Sequence, residues 1–210
     1  MEKIFAHPGD QANNLVAQQR KETLIEYLKE QGVYGPEFQE IIKFLYEKTD
    51  YFYGPSSTKW HAAYPGGGFD HAFGVTQCLA ELTAKDICHS WQALRSPYLV
   101  GLLHDATKIG AYIMKQDRNP ITNEIETWYE WNQEHLLLSD IHGEDSLLKV
   151  LKHMSLTEEE QACIRWHMGA YEGKDSWPGF DAAIKKFPNV LWTHTADMFA
   201  SKVMEGCYAE

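Results

Sequence analysis

The chain has 210 residues, enough for one domain whose core needs neither disulfides nor a structural metal. Its 44% apolar and 23% charged content excludes a disordered chain. A formal charge of −11 argues against a broad nucleic-acid interface, yet it is compatible with a small phosphate ester met by bound cations.

Apolar residues at helical spacing (Leu15, Val16, Leu24, Ile25, Leu28) predict a first helix over 15–31, ended by Gly32. Pro36 opens a second, with Phe38, Ile41, Ile42, Phe44 and Leu45 on its apolar positions. Residues 51–70 are rich in Gly, Pro and Ser and predict a long loop ending in Gly66-Gly67-Gly68. A third helix is expected from Phe69 to Lys85, and a fourth from Pro97 through LVGLLHDATKIGAYI. Residues 115–131 predict a loop or a short hairpin, because ITNEIETWYEW alternates apolar and polar side chains. Helices are expected near 133–141, 144–153, 157–170, 180–186 and 189–205. The one at 157 carries the capping signature Thr157-Glu158-Glu159-Glu160, and the last follows Pro188.

Cys78, Cys88, Cys163 and Cys207 form no Cys-x-x-Cys pair and are expected as free thiols. The opening MEKIFAHPGDQANN is polar and broken by Pro and Gly, unlike a secretory leader. No apolar run approaches the ~20 residues of a membrane span. A cytoplasmic protein off the membrane is the expectation.

Ten histidines is a high count for this length. In Leu102-Leu103-His104-Asp105 two metal-competent side chains follow an apolar run directly. Burying both is costly unless something pairs with them, and a divalent cation would do so. Adjacent helical residues point about 100° apart, so the pair can reach different sides of one site. A carboxylate such as Asp105 can bridge two ions. Lys108 shares their helical face and suits a substrate phosphate oxygen. The other candidates are His71 after the glycine run, His142 before Gly143, His167 on an amphipathic helix, and Asp197 in the apolar LWTHTADMFASKV. His194 shares the face of Asp197, as a hydrogen-bonding partner of a ligand or as a core histidine.

The order His71 … His104-Asp105 … His142 … His167 … Asp197 resembles the HD-domain superfamily of metal-dependent phosphohydrolases. KWHAAYPGGGFDHAFGV, LLHDATKIG and HTADMFASK are similar to segments of the HD domain in YhaM-type 3′–5′ exoribonucleases, over roughly 58–205. The resemblance implies an all-α fold: an HD-domain helical bundle over 58–210 behind an N-terminal helical extension over 1–57. It implies a first metal on His71, His104, Asp105 and Asp197, and a second on His142 and His167 with Asp105 as the bridge. Asp105 and Lys108 are then the catalytic residues, and the ions are divalent, two in number, drawn from Mn, Fe, Mg, Zn or Co. The chain departs from those exonucleases at Met168, where they often carry a second His, and at Asp70, where they often carry Glu. Ala106-Thr107 stands for Ile-Gly, and no OB-fold segment precedes the motifs.

The expected function is hydrolysis of a phosphate ester of a nucleotide or another small phosphorylated molecule. Exonucleolytic cleavage of single-stranded nucleic acid is the alternative with the same chemistry. A di-iron oxygenase, similar to inositol oxygenase, and a nucleotide-binding module without activity are the other classes. Trp60, Tyr64, Tyr171 and Trp177 could stack on a base or pack in loops, and tyrosine- and tryptophan-rich helices could form a homo-oligomer. Glu172, Lys174 and Asp175 are expected in a solvated turn.

Overall fold

The computed structural model describes residues 11–204, with side chains from residue 15 on. The polar segment 1–10 and Cys207 lie outside the described residues. The fold is mostly helical with one small sheet: α1 (Gln11–Glu30), α2 (Pro36–Lys48), α3 (Gly67–Ala84), α4 (Ser96–Leu103), β1 (Tyr112–Arg118), β2 (Ile125–Trp131), α5 (His142–Leu151), α6 (Glu158–Trp166), α7 (Trp177–Lys186) and α8 (Asn189–Phe199). Among the described residues no helix is long and apolar enough to cross a membrane.

The apolar positions read from the sequence face one continuous core. Leu24 and Leu28 of α1, Phe38 and Ile42 of α2, Val75 and Leu79 of α3, Val100 of α4, Ile164 of α6 and Val190 of α8 all belong to it. Burying a side chain such as Leu28 completely is worth about 1.5–3 kcal/mol, so α1 and α2 are held on the same core as the later helices. At the centre α3 packs on α4 and α8, and α6 on α4, α5 and α8. The α3–α4 contact depends on Gly101, because a Cβ there would lie 2.5 Å from Thr76 Cα. No other residue lets α4 come so near.

Several elements differ from expectation. The fourth helix ends at Leu103, followed by a 3₁₀ turn at Ala106–Lys108 and then β1. Asp105 leaves the helical region at φ −101°, ψ 26°. The backbone past the turn is held by Asp50, whose Oδ1 accepts the Gly110 N–H at 2.8 Å. A polar tertiary contact thus overrides the helix propensity of the segment. The hairpin is longer than expected, with Tyr112 opposite Trp131 and Arg118 opposite Ile125.

Residues 132–141 are irregular where a helix was expected. Leu136 and Leu137 are exposed, so this segment has no buried face to repay helix formation. Its amides bond elsewhere: Glu134 N–H to the Asn132 side chain, and the Leu138 and Ser139 N–H groups to Asp145. The Thr157 capping box forms in full, with Glu160 N–H donating to the Thr157 hydroxyl at 3.1 Å and Thr157 N–H to Glu160 at 2.8 Å. Helix α7 starts at Trp177, three residues early, because Pro178 sits in its first turn. The Glu172 carboxylate is only 5% exposed and takes Arg165 Nη1 on both oxygens, so it is a buried ion pair and not a solvated turn residue.

Candidate metal centre

Five helix ends or faces converge on one point. His71 lies in the first turns of α3, which begins where Gly66 turns left-handed at φ +84°. Arg20 of α1 grips the preceding residue, with Nε and Nη2 each 2.8 Å from an oxygen of Asp70. His104 closes α4, and Asp105 and Lys108 flank and end the 3₁₀ turn. His142 opens α5, His167 closes α6, and Asp197 lies on α8.

The Asp105 carboxylate is shared between two groups. Its Oδ2 lies 3.6 Å from His71 Nε2 and 3.5 Å from His104 Nε2. Its Oδ1 lies 2.6 Å from His142 Nε2 and 3.5 Å from His167 Nε2. His71, His104 and Asp105 could hold one ion, and Asp105, His142 and His167 another. Asp197 Oδ1 is 3.2 Å from His71 Nε2, on the side of the first group. All six residues expected as ligands from the sequence therefore meet at one site.

Two of the imidazoles are set with the nitrogen of interest facing in. His104 Nδ1 is 2.8 Å from the Gly101 carbonyl and His167 Nδ1 is 2.8 Å from the Ile164 carbonyl. An Nδ1–H donated to those carbonyls leaves the Nε2 lone pair for the centre. His167 Nε2 is buried and makes no hydrogen bond. An orphaned polar atom in such a place is costly, and a cation is the partner that its surroundings fit.

The electrostatics agree. Burial pushes the Asp105 carboxyl up, but Lys108, at 2.7 Å, and His104 outweigh it and hold the group well below the usual carboxylate range. Asp197 is lowered in the same way, against its burial, by His71 and His104. Burial lowers His167 and so favours its neutral, ligand-ready form. Asp50 lies behind the turn, and burial raises it to about 6. A narrow cleft opens beside Asp105 and Lys108 and is also lined by Asp50, Gly54, Pro55 and Gly68.

Sequence reasoning missed the supports around this centre. Asp145 is fully buried one turn after His142 and accepts bonds from the Thr107 hydroxyl, from Lys149 at 2.8 Å and from the Leu138 amide. Burial would raise it, but those donors hold it low. It joins the helix bearing His142 to the turn bearing Asp105. Its spacing of i+3 from His142 was the available signal. His194 Nδ1 sits 2.8 Å from the His167 backbone carbonyl. On the loop between α2 and α3, Ser56 accepts from Lys108 and has His61 Nε2 3.0 Å from its hydroxyl; both were also missed. Trp60, Tyr64, Tyr171 and Trp177 are all exposed. No family model, curated protein or solved structure matches the chain.

Proposed function

We propose that the chain is an HD-type, metal-dependent phosphohydrolase that cleaves a small phosphate ester, with a nucleotide as the leading class. The observation that carries this reading is the division of the two Asp105 oxygens between two histidine-containing groups, one of which includes a buried, unpartnered imidazole nitrogen. His71, His104, Asp105 and Asp197 would hold one divalent ion, and His142, His167 and Asp105 a second. Bound there, such ions lower the pKa of water and offset charge on phosphoryl oxygens.

The protein's own groups supply the rest. Asp105, kept ionised by its neighbours, presents an anionic oxygen to each group. Lys108 Nζ donates one hydrogen bond to Asp105 and one to the Ser56 hydroxyl, and its third N–H remains for a phosphoryl oxygen. In the overall reaction a water oxygen bonds to phosphorus, the ester P–O bond breaks, and a water proton ends on the departing alcohol. The charge of −11 supports a small substrate over a polymer.

The test is phosphate or nucleoside release by Mn²⁺-loaded protein. The panel holds nucleoside mono- and triphosphates, cyclic nucleotides and a short single-stranded oligonucleotide. Turnover of a small ester is expected. Lys108→Ala should slow it by about 100-fold, the usual cost of one charge-stabilising donor. Its metal content should not fall, because removing a neighbouring cation does not weaken a cation site. Silence across the panel, with bound iron and oxygen consumption, would replace this reading with an oxygenase.

A further inference from the structure

A cavity of about 120 Å³ lies where α2, α5 and the turn after α4 meet. Most of its wall is hydrocarbon: Ile41 and Leu45 of α2, Leu103 and Ala106 on either side of His104-Asp105, and Val150 of α5, all buried. Phe44 and His153 also line it, with ring centroids 3.8 Å apart and ring planes 28° apart. His153 is exposed and Phe44 half-buried, so this side of the cavity reaches solvent. Protein interiors are close-packed, and the atoms around such a space lack contacts that an occupant restores.

The wall sets the class of occupant. An apolar cavity of about 150 Å³ takes up benzene, so the space suits one six-membered ring. The two rings at the open side favour an aromatic one. Among the described residues of the wall, Lys149 alone carries a formal charge, and its ammonium is engaged elsewhere. It lies 2.8 Å from Asp145, 2.9 Å from His135 Nε2 and 3.3 Å from the Thr107 carbonyl. The Thr49 hydroxyl donates to the Leu45 carbonyl and accepts the Tyr51 N–H. A carboxylate or phosphate would therefore be desolvated here without a partner, at a cost its burial does not repay. The same cost weighs on a ring with many polar atoms, such as a nucleobase. A neutral, mainly apolar ring bears none of it.

The cavity also adjoins the metal centre. Leu103 and Ala106 are the chain neighbours of His104 and Asp105. Helix α5 begins with His142, whose Nε2 is 2.6 Å from Asp105 Oδ1. The third wall, α2, bears no candidate ligand. An occupant packs between α5 and the turn, and so bears on the spacing of His142 and Asp105.

We propose that this cavity binds a small, neutral, single-ring aromatic molecule, and that its occupancy changes the affinity of the Asp105, His142 and His167 group for its ion. The binding stands apart from the phosphohydrolase reading. The coupling rests on that group being a metal site.

The probe is phenol, with benzoate as its charged counterpart. Phenol titrated into metal-free, full-length protein should saturably shift the methyl NMR signals of Ile41, Leu45, Leu103 and Val150. Benzoate should bind at least about ten-fold more weakly, because its carboxylate finds no partner. Ile41→Phe fills the cavity from α2 and Ala106→Leu fills it from the turn. Each should abolish the phenol shifts while keeping the wild-type circular dichroism, and two variants guard against one that fails to fold. In a calorimetric Mn²⁺ titration of wild type, saturating phenol should change one affinity by about five-fold or more, the lower end of usual coupling between sites. The same phenol should leave Ile41→Phe unmoved. Absence of saturable shifts overturns the site, as do shifts confined to other methyls or shifts that survive in a folded filling variant. Benzoate binding as tightly as phenol overturns the ligand class. Phenol binding with every Mn²⁺ affinity unchanged overturns the coupling. Failure of wild type to take up Mn²⁺ is a different result: it sinks the metal reading and the coupling, while the phenol shifts still decide the site.

Discussion

Asp105→Ala should strip the protein of both ions and lower turnover by a factor on the order of 10³ or more, because it removes the one carboxylate common to both groups. Among the described residues no other belongs to both groups. His71 and His104 lie nearest Oδ2, and His142 and His167 nearest Oδ1. The helices bearing these histidines are held by their own apolar faces, so the circular dichroism of the variant should match wild type. Asp105→Asn is the sharper control. It keeps the volume of the side chain but offers one neutral carbonyl oxygen where two anionic oxygens stood. It should also fail to hold two ions. If either variant kept two ions and full turnover, Asp105 would not be the bridge, and the site would have to be built elsewhere.

The second large effect concerns the scaffold. Glu160→Ala should cost about 3 kcal/mol of stability, the lower end of the range for removing one partner of a buried ion pair. Glu160 is fully buried and takes both Arg95 Nε and Nη2 at 3.1 Å, the Ser96 hydroxyl at 2.9 Å and the Thr157 amide at 2.8 Å. It thus ties the start of α6 to the start of α4, the helices that deliver His167 and His104. Its loss would leave Arg95 with the exposed Glu37 as its one carboxylate and the Ser155 carbonyl as its other acceptor, and would take away the acceptor of the Ser96 hydroxyl. At roughly 2–4 °C per kcal/mol for a chain of this size, the midpoint of thermal unfolding should drop by about 6–12 °C. Glu158, on the same helix, pairs with Lys186 in solvent, and Glu158→Ala should barely move the midpoint. Equal effects from the two would contradict the assignment of Glu160 as the clamp.

The centre was more legible in the sequence than its surroundings, for a physical reason. Ligand-type side chains on apolar helices are conspicuous, because burying imidazole and carboxylate needs compensation, and His104-Asp105 after Leu102-Leu103 announces that need. The helix starts were equally plain where caps mark them, as at Thr157, Pro36 and Pro188. The misses lie where long-range polar contacts decide. The fourth helix stops at Leu103 because the Asp105 turn and the Asp50–Gly110 bond take over, and Asp50 is sixty residues away. In the segment 132–141 the amides of Glu134, Leu138, Ser139 and Ile141 go to the side chains of Asn132, Asp145 and Ser139. Ser56 lies in a stretch rich in Gly, Pro and Ser, and its burial depends on Lys108 and Tyr112 arriving from far along the chain. Periodicity carries no information about such contacts.

The most direct measurement is a calorimetric titration of Mn²⁺ into metal-free, full-length protein. The account predicts two ions per chain, and one per chain in His167→Ala, whose buried Nε2 belongs to one group only. Binding of a single ion, or of none, by the wild-type protein would contradict it.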